Sequence, residues 1–240
     1  MTYQILPTVL FFFFTLFSND CANSKVETST LKLLAKNENV AAISLEETTY
    51  NKLQANDLAM PSREGFMEAL KGFTKLKEKG LITKNILTLI DFSLSSNVKR
   101  LWVIDLDSNE VLINSLVAHG RNTGDEFASS FSNVSESFKS SLGFYATGEI
   151  YRGKHGTSLK LDGLEKGINS NARDRAVVIH GADYVSESFI HNNKRLGRSL
   201  GCPAIPLALT EKIISTIKDK SCLFIYYPSS TYKVASRLIS

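Results

Sequence analysis

The sequence predicts a mainly β domain, and three observations predict it. From Ile86 onward the chain breaks into short apolar runs of strand length, separated by serine, asparagine, aspartate and glycine. Helical periodicity is confined to a few stretches, clearest in Pro61–Gly80 and Ala208–Asp219. No strand–helix–strand rhythm repeats along the chain, which argues against a doubly wound parallel sheet.

Taken in order, the first element is Ile5–Phe17, a run of thirteen residues with four consecutive phenylalanines. It is shorter than the roughly 20 residues that a membrane-spanning helix needs. Small polar residues follow at Ser18–Ser24, the pattern that ends a secretory signal peptide. Residues 1–20 are therefore expected to be a signal peptide, with the mature chain starting near Asp20–Ser24. Cys21 would carry a lipid if the protein is a lipoprotein, although Ser18, Asn19 and Asp20 are not the small apolar residues that usually precede such a cysteine.

Residues 21–60 read as a polar linker leading into a helix around Leu45–Asn56, and residues 61–240 as the main domain. In Pro61–Gly80 the side chains Phe66, Leu70, Phe73 and Leu76 share one helical face, with Ser62 as the expected cap and Gly80 as the stop. Gly65 and Gly72 work against that helix. Strands are expected at Ile86–Phe92, Arg100–Leu106 and Glu110–Val117, the last two forming a hairpin around Asp107–Asn109. The serine-rich stretch Ser129–Ser141 reads as a loop. Further strands are expected at Gly143–Tyr151, Thr157–Leu161, Arg175–His180 and Cys222–Pro228.

With 240 residues, 43% hydrophobic and 22% charged, the chain has enough apolar surface for a sizeable core. A net charge of +4 is too mild for a nucleic-acid binder. Only Cys202 and Cys222 remain once Cys21 is removed or lipidated. Cys222 opens an apolar run and reads as a buried core thiol. Cys202 stands in the loop "GRSLGCPAIP" (Gly197–Pro206), before a proline that interrupts regular structure. From residue types alone, Cys202 is a nucleophile, a packed thiol or half of a bridge to Cys222.

A nucleophilic cysteine needs a base. Of the four histidines, His119, His155 and His180 each precede a glycine. His180 follows the apolar run Ala176–Ile179, so it reads as a strand end aiming an imidazole at a neighbouring loop. His119 and His155 are the alternatives. Metal binding is the weaker reading, because no second histidine or cysteine lies at ligand spacing beside Cys202.

Together, "IHGADYVS" (Ile179–Ser186) and "GRSLGCPA" (Gly197–Ala204) resemble the catalytic domain of murein L,D-transpeptidases, in a subgroup with a Gly-Arg-Ser-x-Gly-Cys-Pro-Ala cysteine motif. Further matching segments follow in order: Val117–Gly120, Phe131–Asn133, Ser140–Asn169 and Arg175–Ser186. The resemblance covers roughly residues 60–228. It implies the mixed-sheet, mainly β fold of that family, with a short N-terminal helical extension. It makes Cys202 the acyl-accepting nucleophile and His180 its base, with the Gly181 carbonyl or a nearby side chain fixing the imidazole tautomer. Ser199, Gly201 and Cys202 fall in the oxyanion loop, where the N–H groups of Gly201 and Cys202 are the donor candidates. Arg198, Tyr184 and His155 are substrate-side candidates, Arg198 for a carboxylate and Tyr184 with packing as its other reading. Leu200 stands where many relatives have a histidine, and Pro203–Ala204 replaces an apolar–arginine or apolar–asparagine pair.

The implied reaction is acyl transfer on peptidoglycan stem peptides with release of a terminal D-residue. An L,D-carboxypeptidase using water and a non-catalytic cell-wall binding protein are the alternatives. No metal or organic cofactor is required, and carbapenems are the implied inhibitors. The expected location is the periplasm or cell envelope, with membrane contact only through the signal peptide or a lipid on Cys21.

Overall fold

A computed structural model describes residues 44–240. The expected signal peptide, Cys21 and most of the expected linker lie outside the described residues. Helix α1 (Leu45–Lys52) starts where the Ser44 hydroxyl accepts the Glu47 N–H at 3.1 Å. It stops short of Asn56 because Leu53 turns extended and Gln54 pairs beside Glu110. There Gln54 N–H donates to Asn109 O (2.8 Å) and Val111 N–H donates to Gln54 O (2.9 Å).

Helix α2 (Arg63–Glu78) buries the expected face of Phe66, Leu70, Phe73 and Leu76. Ser62 does not cap it. Its hydroxyl donates instead to Asp91 Oδ2 at 2.8 Å, tying the helix start to the sheet. Gly72 is a packing residue: a β-carbon there would fall 2.0 Å from the Phe144 ring. The helical propensity lost at Gly72 permits close approach of α2 to the sheet.

One eight-stranded mixed sheet forms the body. Its strands are β1 (Ile86–Asp91), β2 (Leu101–Asp105), β3 (Glu110–Ser115), β4 (Gly143–Gly153), β5 (Gly156–Gly163), β6 (Val178–Ala182), β7 (Ala204–Pro206) and β8 (Cys222–Tyr226). Their order is β3-β2-β1-β8-β4-β5-β6-β7. The β1/β8 and β6/β7 pairs are parallel and the others antiparallel. The hairpin around Asp107–Asn109 and the serine-rich loop stand as expected.

Three short elements have no counterpart in the sequence reading: β7, α3 (Glu187–Asn193) and α5 (Ser230–Ala235). Strand β6 begins at Val178 rather than Arg175, because Arg175 and Ala176 complete a turn. Ala176 adopts φ 53° and Ala176 N–H donates to Arg173 O. The late helix is α4 (Thr210–Ile217), entered through a 3₁₀ turn at Leu207–Leu209.

Phe144 and Thr147 on β4 point to opposite faces, by the two-residue period of a strand. Helix α2 lies over Phe144, while Thr147 Oγ1 donates to Ile217 O at the end of α4 (2.6 Å). The sheet is thus covered on both faces. Phe144 stacks on Phe224 at 4.1 Å between ring centroids, and Trp102 Nε1–H donates to Ala59 O at 2.7 Å. Glu165 docks the C-terminal segment, accepting from Phe144 N–H (2.8 Å), Tyr232 OH (2.9 Å) and Ser236 Oγ (2.5 Å). Burial raises the Glu165 carboxyl above its ordinary pKa. Beyond β3, Ala118 bridges Ala204 of β7 through two backbone hydrogen bonds (2.8 and 3.2 Å), so the two ends of the sheet meet.

Candidate active site

The parallel connection β6–α3–β7 brings the histidine and the cysteine together. His180 is in register with Ala204, and Cys202 lies two residues before Ala204 on the approach to β7. This is a single strand–helix–strand crossover in an otherwise antiparallel half of the sheet. It is too short and too polar to show as a rhythm in the sequence.

His180 sits in the middle of β6 rather than at a strand end. Gly181 serves close packing, not backbone freedom. A β-carbon at Gly181 would come within 2.3 Å of Thr210 Oγ1 and 3.0 Å of Leu207 Cδ2. His180 Nδ1 lies 3.0 Å from the Gly181 carbonyl. A carbonyl only accepts, so Nδ1 carries the proton and Nε2 keeps its lone pair. Burial lowers the His180 pKa below 6.5, the Gly181 bond opposes that, and His155 lowers it further.

His155 reaches His180 from the tip of the β4–β5 hairpin. The two rings stack with centroids 4.4 Å apart and planes 25° off parallel. The register of β4 on β5 shifts between Thr147 and Ile150, a bulge that re-aims the distal half of the hairpin. Arg173 braces this bend through Asp162 (2.5 Å) and Glu149 (2.8 Å), and Lys160 adds a second contact to Glu149 (2.7 Å). Hydrogen bonds from Arg173 and Lys160 hold the Glu149 carboxyl down to about 2.

The cysteine loop is fixed from within. Ser199 Oγ donates to Cys202 O (2.6 Å) and accepts the Gly201 N–H (3.0 Å). The Gly201 N–H is therefore taken up within the loop. Among the described residues the Cys202 N–H has no protein acceptor. Gly201 adopts φ +123°, and a β-carbon there would meet Lys139 O at 2.9 Å. Leu200 projects into solvent with 62% exposure.

Cys202 Sγ–H donates to the Ala176 carbonyl at 3.7 Å. Burial pushes the thiol pKa up, while the Val178 N–H and the Arg175 guanidinium pull it back. Both shifts favour the neutral forms, the thiol at Cys202 and the imidazole at His180. Cys202 and Cys222 are both free, so the bridge between them is not formed.

The remaining candidates have defined places. Arg198 Nη1 is held by Asp125 Oδ1 (2.6 Å), Gly124 O (3.1 Å) and Arg121 O (3.2 Å), clamping the cysteine loop to residues 121–125. Tyr184 packs against Gly197, where a β-carbon would meet the ring carbons at 2.5 Å, and its phenol is pushed up to about 12 by burial, Cys202 and Asp183. His119 is structural. Its Nδ1 accepts from Arg100 Nη2 (2.8 Å), its Nε2 donates to Gly124 O (3.2 Å), and burial with the Arg100 charge brings its pKa to about 4.

The sequence reading missed Arg175 and the backbone of Ala176 and Val178. Arg175 is visible in the sequence only as the polar residue before an apolar strand. A cavity of about 240 Å³ opens beside this backbone, lined by Tyr151, Lys160, Arg173, Ala176, Val177 and Val178. Among the described residues no three histidine, cysteine or carboxylate side chains converge as a metal site.

Residues 58–226 match the family model of the L,D-transpeptidase catalytic domain, and the chain belongs to that family. No curated protein matches it. Among solved structures it is similar to an L,D-transpeptidase from Mycobacterium smegmatis, with 10% identity over 60% of this chain and 59% of that one (TM-score 0.37). It is also similar to the helical cell shape determining protein Pgp2 from Campylobacter jejuni, with 14% identity over 72% and 61% (TM-score 0.41). A third is the LD transpeptidase LdtMt1 in complex with imipenem, with 10% identity over 59% of each chain (TM-score 0.38). The chain spans about three fifths of the length of each of these structures.

Proposed function

We propose that the protein is a cysteine-dependent L,D-transpeptidase of the cell envelope, acting on peptidoglycan stem peptides. The observation that carries this reading is the register of β6 on β7, which sets a buried, tautomer-fixed imidazole beside the loop of a half-buried free thiol. As the substrate carbonyl arrives, His180 Nε2 takes the thiol proton and Cys202 Sγ attacks the carbonyl of the third, diamino-acid residue. The Cys202 N–H faces the oxygen on which negative charge develops. His180 returns its proton to the leaving terminal D-residue, and a thioester remains. An acceptor amine resolves the thioester to give the cross-link.

Gly181 and Ser199 are positioning residues, the first holding the imidazole and the second the loop. His155 and Tyr184 border the site, and the cavity beside Val178 accommodates part of the donor stem. Arg198 keeps the cysteine loop in place. The chain is exported, with processing near Asp20–Ser24, because a short apolar run ends there in small polar residues.

Incubating the protein with defined tetrapeptide muropeptides and weighing the products tests the reaction. Loss of the terminal D-residue with dimer formation is the expected result. Loss without dimers makes the enzyme an L,D-carboxypeptidase, and unchanged muropeptides over a correctly folded protein contradict catalysis. N-terminal sequencing from the native host tests export, and an intact Met1 in most of the protein contradicts it.

A further inference from the structure

The Arg175 guanidinium lies under the cysteine loop without a carboxylate partner. Its Nη1 donates to Ser132 O (2.8 Å) and Ser141 Oγ (2.6 Å), and its Nη2 to Lys139 O (2.6 Å) and Ser137 Oγ (3.4 Å). Every one of these acceptors is neutral, and among the described residues Arg175 forms no ion pair. Arg173, two residues earlier, is by contrast paired to two carboxylates. Nη2 stands 3.4 Å from where a Gly201 β-carbon would be, next to the nucleophile in the chain. A partly buried cation held only by dipoles keeps its field, because neither water nor a counter-ion screens it well.

We infer that Arg175 is the positioning residue that supplies the positive charge for Cys202, stabilising its thiolate through space while its hydrogen bonds hold residues 132–141 under the cysteine loop. The inference rests on the assignment of Cys202 as the nucleophile. It also accounts for a site that works with Leu200 turned into solvent. The thiol's electrostatic surroundings agree, since the Arg175 charge favours the Cys202 anion and the Cys202 anion favours the Arg175 cation. The other titratable groups around the pair are His180 with His155 against it, Tyr184 after β6, and Tyr145 on β4. The Lys139 ammonium ends on Ser130 Oγ at 2.7 Å.

The test is the pH profile of iodoacetamide alkylation at Cys202, mapped by peptide mass, in the parent protein, Arg175→Gln and Arg175→Lys. No substrate is involved, so the titration stands even if the muropeptide assay shows no transfer. Arg175→Gln should move the thiol midpoint up by about one pH unit, the lower end of what a neighbouring opposite charge supplies. Arg175→Lys cannot reproduce the four hydrogen bonds but keeps the charge, and its midpoint should stay near that of the parent. An unmoved midpoint in folded Arg175→Gln overturns the inference. An equal upward shift in both variants also overturns it, because the hydrogen bonds alone would then be responsible. If Arg175→Gln does not fold, Arg175→Lys decides alone: a parental midpoint supports the charge, and a raised one refutes it.

Discussion

Cys222 opens β8 in the middle of the sheet, with Leu87 and Ala146 as its neighbours on the two flanking strands. Cys202 stands on the loop before β7, its sulfur facing the Ala176 carbonyl, the Val178 N–H and, through space, a guanidinium. Burial raises both thiols. Cys222 has nothing to oppose that, and the Glu165 charge raises it further, whereas two polar groups work against burial at Cys202. Exposure separates the two cysteines, Cys202 half-buried and Cys222 buried, but does not by itself set their chemistry. The backbone and charge arranged around the sulfur do, and that arrangement exists because β6 and β7 run parallel across a short crossover.

The largest expected effect breaks this comparison at its centre. Cys202→Ser should abolish muropeptide turnover with the fold intact, because a serine hydroxyl is hardly ionised near pH 7. Measurable wild-type-like turnover in that variant would remove Cys202 as the nucleophile. Next comes His180→Ala, expected to lower kcat by roughly 10²–10⁴-fold. His119→Ala should instead lower Tm, since it leaves Arg100 without one of its buried partners, and keep the pH profile of the remaining activity. A larger kcat loss from His119→Ala or His155→Ala than from His180→Ala would reassign the base.

Gly201→Ala sharpens the comparison through the backbone. A side chain at φ +123° pressed on Lys139 O should cost about 1–3 kcal/mol and reduce activity by displacing the loop. The His180 pKa lies below 6.5, so its imidazole stays neutral as pH falls until that lowered pKa is reached. The acid limb of kcat/KM should accordingly lie below pH 6.5, and a limb at or above that value contradicts a buried neutral base. The smallest effect is expected at the other cysteine. Cys222→Ser should leave turnover per folded molecule unchanged and cost about 1–3 kcal/mol of stability for a hydroxyl in an apolar sheet.

The same contrast explains what the sequence made legible. Strands β1, β2 and β8 are nearly continuous apolar runs and β4 and β5 mix apolar with polar residues, yet all five are readable with end shifts of a few residues. The β3 run is likewise readable, its last two residues leaving the strand toward the Ala118 bridge. By contrast, β7 is three residues that follow one proline and end on another, and α3 and α5 are under two full turns, so no period develops in any of them. Cys202 and His180 were legible as types in suggestive surroundings, and the resemblance paired them. Arg175 was not legible, because its importance lies in lacking a counter-ion, which only the folded chain reveals. Arg198 looked free for the opposite reason: its partners Asp125 and Gly124 are distant in sequence.

The most direct test of Cys202 as an accessible, activatable nucleophile uses a strained acyl donor in place of the natural stem. A carbapenem presents a lactam carbonyl that the thiolate can open without any acceptor, leaving the whole drug attached as a thioester. After incubation and digestion, mass spectrometry should find one adduct, on the peptide containing Cys202, and an unmodified Cys222. An unmodified Cys202 after long exposure of folded protein, or an adduct on Cys222 instead, would contradict the account.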